Sequence, residues 1–336
     1  MLSLRSRILD LKQGHSEYGH NGLLFAMSLE ESEVIDRLAE DDPFVAECKH
    51  KIMRLLKHYT VGYSEHLKTA FDVYSECSTY IQLNSRGVLI ERVPEARESR
   101  PDFRIRYCGE EAYCEVKTLG WADGMQNYNA AIDDGIAAKI EIEDQVFSGV
   151  RMPMATSGIS PFGHSEELST NPGKLFTRKI IDKLRNNIKE SQFELGPTIL
   201  ICDLSLLYLP SPGPRLASVI AYMAAESCCI VSGELWHIAF GRIGDQILKR
   251  IEFEGAPNTS GRLERNGILI DSHENLKALI ICTSPFDKAK KTYSAFATAS
   301  NFEQFGALIC QISDFYNDEV NSNAWEIIDG QKQLRH

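Results

Sequence analysis

Three of the charged side chains in one stretch of sequence with the pattern of a β-hairpin lie at its start and near its end. The stretch is PDFRIRYCGEEAYCEVK, residues 101–117, and the three side chains are Asp102, Glu115 and Lys117. Strands favour β-branched and aromatic residues, and a buried charge costs free energy unless it is paired. Two interpretations follow: an exposed sheet face with a cross-strand ion pair, or a metal site built from carboxylate oxygens.

The spacing of these residues suits the chemistry of phosphodiester cleavage. Paired strands lie about 4.8 Å apart, so Asp102 at the head of one strand and Glu115 on its neighbour can converge on one cation. The backbone carbonyl of Val116 is a third candidate ligand. Lys117 follows Glu115 by two residues and shares its face, where an ammonium group could reach an attacking water or a phosphate oxygen.

Pro101-Asp102 followed by Glu115-Val116-Lys117 resembles the PD-(D/E)xK nuclease superfamily, which includes many restriction and repair endonucleases. The resemblance implies a Mg²⁺-dependent DNA endonuclease of restriction or prokaryotic defence type, with Mn²⁺ as a substitute metal. Two alternatives stay open. One is a nuclease that acts on RNA, and the other is an inactive nucleic-acid-binding or scaffold protein that keeps the fold.

The same resemblance implies further site residues on two helices. Members usually carry an acidic residue on the first core helix, where Glu76 would be a catalytic residue and metal ligand; Asp72, one turn earlier, could replace it. Many members also carry a basic or amide residue on the second core helix, for contact with nucleic acid. Lys179, Lys183 and Gln192 are the candidates, and the sequence does not choose between them or exclude a merely solvated helix face.

The elements that must position these residues follow from hydrophobic periodicity and turn residues. We predict a helix at about 64–85, a short strand at 88–92, a hairpin joined at Gly109-Glu110, an amphipathic helix and a buried strand. The hairpin strands are 102–108 and 111–118, the second helix covers about 174–193, and the buried strand is TILICDL at 198–204. This order matches the restriction-endonuclease-like α/β core (αβββαβ, a mixed sheet flanked by helices) that the resemblance implies.

We divide the chain into three regions. An N-terminal helical region covers 1–65, and the nuclease core covers 66–205 with an insertion at about 119–173. Residues 206–336 form a C-terminal α/β extension of the core sheet, or a dimerisation or sensor region. Within this last region we predict strands at 234–241, 247–255, 267–272 and 276–284, and helices at 214–227 and after Asn301.

Composition limits the class of protein. The 336 residues are 43% hydrophobic, which is typical of a globular chain, and carry a net charge of −11. An acidic chain must bind nucleic acid through a local basic groove, which a homodimer or an activating partner protein could help to build. None of the nine cysteines has the C-x-x-C spacing of a structural zinc site. We find no signal peptide or membrane segment and expect a cytoplasmic protein without a membrane partner.

Overall fold

The computed structural model describes most of the chain with interruptions. The described residues are 3–13, 24, 26–57, 65–94, 96–120, 124–156, 172–207, 216–217, 219–224, 227–248, 260–284, 291–320 and 325–334. Their helices are α1 (Leu4–Gln13), α2 (Leu29–Leu38), α3 (Pro43–Lys57), α4 (Glu65–Ser85), α5 (Gly124–Phe147), α6 (Pro172–Asn187), α7 (Glu234–Phe240) and α8 (Ala299–Ile312).

The strands of the described residues form one large mixed sheet and two small two-stranded sheets. They are β1 (Leu89–Arg92), β2 (Phe103–Tyr107), β3 (Glu110–Thr118), β4 (Thr198–Asp203), β5 (Val219–Ala224), β6 (Ser227–Ser232), β7 (Gln246–Leu248), β8 (Ser260–Arg262), β9 (Leu276–Thr283), β10 (Thr292–Phe296), β11 (Phe315–Asn317), β12 (Trp325–Ile328) and β13 (Gln331–Leu334). Nine of them make the sheet, in the order β1-β2-β3-β4-β9-β10-β11-β12-β13. The predicted α/β class is therefore confirmed.

The strands from β1 to β4 have the same order in the sheet as along the chain. Strands β1, β2 and β3 pair antiparallel, and β3 then pairs parallel with β4. A parallel pair needs a crossover connection, which here contains α5 and α6. Because β9 pairs parallel with the other side of β4, the C-terminal strands continue the same sheet.

The β2–β3 hairpin turns one residue earlier than predicted. Tyr107 pairs with Glu110, so the two connecting residues are Cys108 and Gly109. Both have positive φ values, 47° and 85°, as a tight hairpin turn of this kind requires. The alternation of β3 is as predicted, because Glu115 and Lys117 lie on the same face and contact each other.

Apolar layers cover both faces of the central strands. On β4, Ile199 and Ile201 pack with α8, whereas Leu200 and Cys202 pack with α6 and α7. Every residue of β4 is buried, as expected for a strand that has a parallel partner on each side. A separate core joins the N-terminal helices α1, α2 and α3 to the first half of α4.

Two predictions in the C-terminal region were wrong because short apolar runs do not distinguish a strand from a buried helix. ELWHIAFG, predicted as a strand, contains α7, whose residues from Leu235 to Phe240 are all buried. GILIDS is not a strand, since Gly267, Ile268 and Leu269 donate their N–H groups to carbonyls at the end of α7. A Cβ on Gly267 would come within 2.6 Å of the Ala239 backbone, so only glycine allows this approach.

A third prediction, the helix at 214–227, was also wrong within the described residues. Val219–Ala224 is strand β5, which pairs antiparallel with β6. The predicted strand at 247–255 is described only as far as Leu248, in β7, and the rest lies outside the described residues. The strand at 276–284 and the helix after Asn301 are confirmed as β9 and α8.

None of the described helices combines the length and the apolar character that crossing a membrane requires.

Candidate active site

Asp102 and Glu115 approach each other because of the register of the β2–β3 hairpin. Phe103, the first residue of β2, lies opposite Cys114, so Asp102 stands where the strand would next face Glu115. Beyond this point β3 continues without β2, and among the described strands its residues up to Thr118 pair only with β4. The last four residues of β3 therefore have one open edge.

Asp102 occupies that open edge in place of a strand. Its Oδ2 accepts a hydrogen bond of 2.8 Å from the backbone N–H of Val116. In a strand the N–H and C=O of one residue point to the same side. The Val116 carbonyl therefore also points to the side of Asp102. Burial raises the pKa of Asp102, and the Val116 N–H and Lys117 partly offset that rise.

Glu115 is a buried carboxylate with an incomplete set of partners. Only 2% of the residue is exposed. Its Oε1 lies 2.5 Å from Lys117 Nζ and also accepts a hydrogen bond from Gln192 Nε2. Its Oε2 is buried and has no hydrogen-bond partner among the described residues. Burial and the nearby Asp102 raise the pKa of Glu115 to about 7, despite the attraction of Lys117.

Helix α4 places two further carboxylates at the site. Asp72 and Glu76 are four residues apart and so share one face of the helix. Asp72 accepts hydrogen bonds from Thr118 Oγ1 and, at 3.0 Å, from Lys68 Nζ. Burial and the charge of Asp102 raise the pKa of Glu76 to about 7. Both acidic candidates on the first helix therefore lie at the site.

An open cavity of about 460 Å³ joins these groups. Helix α4 forms one side and the end of β3 another, and α3 and α6 each contribute a lysine. The lining residues that carry charge are Lys51, Lys68, Asp72, Glu76, Asp102, Lys117 and Lys183. Among the described lining residues, four lysines thus balance three carboxylates, with Glu115 behind them, in a chain that is acidic as a whole.

The three candidates for contact with nucleic acid have different positions. Lys183 lines the cavity, and its Nζ donates a hydrogen bond of 2.5 Å to the Gly120 carbonyl. Lys179, one turn earlier on α6, is half-buried and is not part of the cavity lining. Gln192 does not lie on this helix, because α6 ends at Asn187 and residues 190–193 form a separate 3₁₀ turn.

The position of Gln192 corrects its predicted role. The residue is 3% exposed, and its side chain donates to Glu115 and accepts from the Lys189 N–H at 2.9 Å. A side chain buried in this way cannot contact a polymer in the cavity. Gln192 instead fixes the orientation of the Glu115 carboxylate.

The donor atoms at the open edge of β3 fit a hard divalent cation. Mg²⁺ binds oxygen ligands and usually takes one or two carboxylates from the protein. Here the donors are the carboxylates of Asp102 and Glu115 and the Val116 carbonyl, and the unpartnered Glu115 Oε2 is the atom that most needs a positive partner. Glu76 does not complete a cluster: among the described residues, no three His, Cys, Asp or Glu side chains form a metal-binding group.

Two lysines of the cavity were missed by sequence reasoning. Lys51 lies on α3 and Lys68 on α4. Lys51 belongs to the N-terminal region, for which we predicted no role at the site. Its only signal in the sequence is an exposed position on an amphipathic helix, which is common to many surface lysines.

No protein-family model, no curated protein and no solved structure matches this chain.

Proposed function

We propose that this protein is a Mg²⁺-dependent nuclease that hydrolyses phosphodiester bonds, with DNA as the expected substrate. The observation that carries the proposal is the pairing of Asp102 with the Val116 N–H. This bond brings together the Asp102 carboxylate, the Val116 carbonyl and Glu115 at one open strand edge, with Lys117 beside them. The order α4, β1, β2, β3, α6, β4, with α5 as an additional helix between β3 and α6, supports the core expected for the PD-(D/E)xK superfamily.

Each residue of the site has a separate role in the proposed reaction. Asp102 and Glu115 would hold the cation, together with the Val116 carbonyl. When bound there, Mg²⁺ lowers the pKa of an attacking water and offsets the negative charge that develops on the phosphate. Glu76 lies on the α4 side of the cavity, where its raised pKa suits it to accept a proton near neutral pH.

Lys117 has two roles in this proposal. Before a cation binds, its ammonium group neutralises Glu115 at 2.5 Å. With a divalent ion held by Glu115, the Lys117 ammonium group would be available to orient the water or to stabilise a non-bridging phosphate oxygen. The Lys117 side chain is 20% exposed, so it can move toward the cavity without leaving a closed core.

The proposal is tested by incubating the purified chain with supercoiled plasmid, linear DNA and RNA. We expect cleavage with Mg²⁺ or Mn²⁺ and none with EDTA, and we expect Ca²⁺ to allow binding without turnover. Asp102→Asn should be inactive. Glu111→Gln is a matched control, because Glu111 lies on the same strand as Glu115 but its side chain is 41% exposed and pairs with Arg104.

Cleavage that persists in EDTA, or in the Asp102→Asn variant, would contradict the proposal. Nucleic-acid binding with no cleavage under any metal would favour the inactive binding protein instead.

A further inference from the structure

The long helix between β3 and α6 has apolar side chains in solvent. Helix α5 covers Gly124–Phe147 and belongs to the crossover that joins β3 to β4. Among the described residues, seven of the twelve large apolar side chains that are exposed lie between Ile136 and Met154. Single exposed apolar residues are common on protein surfaces, but such a concentration is typical of an interaction site.

The helical period places the largest of these side chains on one face. Ile136, Ile140 and Phe147 follow one another at four and seven residues, so they lie within about 40° of one another around the helix axis. Ile136 and Ile140 are each 52% exposed, and Phe147 is 95% exposed. A helix in a protein gains most of its stability by packing its apolar face. Because the described residues leave this face largely in solvent, it is available to a second molecule.

The segment after α5 is held beside the end of the helix. Gly149 has a φ of 79°, and the Val150 N–H donates to the Gln145 carbonyl at 3.0 Å, which ends the helix in a Schellman turn. The Gln145 side chain also holds Met154 at both backbone groups, donating to its carbonyl at 2.9 Å and accepting from its N–H at 2.7 Å. This reversal of the chain keeps Met152 and Met154, both exposed, next to the end of α5.

The charge of α5 limits which partners can bind there. The helix carries five acidic side chains and one lysine. Two of the acidic side chains, Glu143 and Asp144, lie between Ile140 and Phe147 in the sequence and are exposed. A second copy of the chain would place the same acidic helix opposite this one, and nucleic acid or an anionic membrane would add more negative charge. A partner with basic side chains beside apolar ones matches both properties of the surface.

We propose that α5 and residues 148–156, together named the α5 surface, bind a basic amphipathic helix of a partner protein. The apolar residues of that helix would pack on the apolar face of α5, and its lysine or arginine side chains would lie near Glu143 and Asp144. Methionine suits such a surface, because its flexible and polarisable side chain adapts to different apolar partners. The proposal does not depend on the nuclease activity.

The test measures binding of fluorescent peptides of about 20 residues to the full chain by anisotropy, at about 0.15 M salt. The first peptide has leucine at helical spacings of three and four and lysine at the other positions. The second peptide has glutamate in place of lysine, and the third has serine in place of leucine. We expect saturable binding of the lysine–leucine peptide, and binding weaker by about tenfold or more for the other two, because the surface requires both basic and apolar side chains.

Ile140→Ser and Phe147→Ser should each weaken binding of the lysine–leucine peptide by about tenfold or more, since each removes an apolar side chain that the peptide would bury. Ile243→Ser is the matched control, because Ile243 is 65% exposed but lies outside the α5 surface. Its affinity should equal that of the wild type. Circular dichroism of each variant measures whether the helix content is retained.

No saturable binding of the lysine–leucine peptide would overturn the proposal. Equal affinities of the lysine–leucine and lysine–serine peptides would also overturn it, because attraction by net charge would then be sufficient. Unchanged affinity in both Ile140→Ser and Phe147→Ser would place the binding elsewhere on the chain. Sedimentation of the chain alone as a dimer, with Phe147→Ser as a monomer, would show that a second copy covers the surface instead.

Discussion

Two buried carboxylates on neighbouring strands have pKa values that are shifted in opposite directions. Glu115 on β3 is 2% exposed and Asp203 on β4 is 1% exposed. Each has a lysine as its cationic neighbour: Lys117 Nζ lies 2.5 Å from Glu115, and Lys291 Nζ lies 3.5 Å from Asp203. Yet the pKa of Glu115 is raised to about 7, whereas that of Asp203 is lowered.

Asp203 has a complete set of donors. Burial alone would raise its pKa, but Lys291, the Ser75 hydroxyl and Ser205 bring it below its ordinary value. Ser75 Oγ donates at 2.6 Å and the Ser205 N–H at 2.8 Å. Lys291 is held in turn by Ser78 Oγ at 3.0 Å and by Glu31 at 3.5 Å. This network joins the N-terminal region, α4, β4 and the start of β10.

Glu115 is closer to its lysine but has less support. One of its oxygens has no donor among the described residues, and Asp102 and Glu76 add negative charge nearby. A lysine at a short distance is therefore not enough to lower the pKa of a buried carboxylate. The pKa of a buried carboxylate depends on the number of its hydrogen-bond donors and on the acidic groups nearby. At Glu115 both leave the carboxylate with too little positive charge beside it, and a bound cation would supply that charge.

Lys117 and Lys291 should differ most in what their removal does to cleavage. Lys117→Ala should reduce cleavage by about 10²–10³-fold, because an ammonium group that stabilises developing charge contributes about 2.7–4 kcal/mol. The melting temperature should also fall, because the buried Glu115 loses its cationic neighbour, so cleavage is compared at a temperature at which both proteins are folded. Steady-state cleavage and thermal unfolding of the same preparations test this, with exposed Lys139→Ala as the control. Retained activity in Lys117→Ala would remove the lysine from the mechanism.

The second effect is on stability. Lys291→Met leaves Asp203 and Glu31 without their shared cation, and removing one partner of a buried ion pair costs about 3–5 kcal/mol. Denaturant unfolding should therefore show a loss of this size, and Lys139→Met should show none. A loss below about 1 kcal/mol would mean that the hydroxyl and amide donors suffice for Asp203.

The third effect is a gain of stability at Glu115. Its folded-state pKa of about 7 lies above the ordinary value of 4.5. The neutral carboxyl therefore makes its full contribution to the free energy of unfolding below pH 4.5, and this contribution is lost as the pH rises through 7. Glu115→Gln should avoid this loss and be more stable than the wild type by about 1–3 kcal/mol at pH 8, but not at pH 4.5.

Denaturant unfolding of Glu115→Gln, Glu111→Gln and the wild type at both pH values measures this difference. Equal stability of Glu115→Gln and the wild type at pH 8 would show that the carboxylate is already satisfied in the folded protein.

The sequence predicted the parts of the site that depend on local periodicity. Alternation in β3 placed Glu115 and Lys117 on one face, and the hairpin placed Asp102 near them. The helical pattern before β1 placed Glu76, with Asp72 one turn earlier, on one face of α4. These relations follow from periods of 2 and 3.6 residues, which the sequence displays directly.

The remaining features depend on packing between distant segments. The bond from Val116 to Asp102 requires β2 to begin at Phe103, and an element boundary is not resolved by alternation. Lys51 reaches the cavity only because α3 packs on α4. Asp203 and Lys291 are brought together by the pairing of β4 with β9 and of β9 with β10. No sequence pattern links such positions.

A calorimetric titration with Mg²⁺ at pH 8 measures binding of the cation at the open edge of β3 without requiring a substrate. We predict saturable binding to the wild type and to Glu111→Gln, and no binding to Glu115→Gln. Binding to the wild type should be weaker at pH 6, where protons compete for carboxyls with pKa values of about 7. Equal Mg²⁺ affinity of Glu115→Gln and the wild type, or no binding to either, would show that Glu115 does not hold a cation.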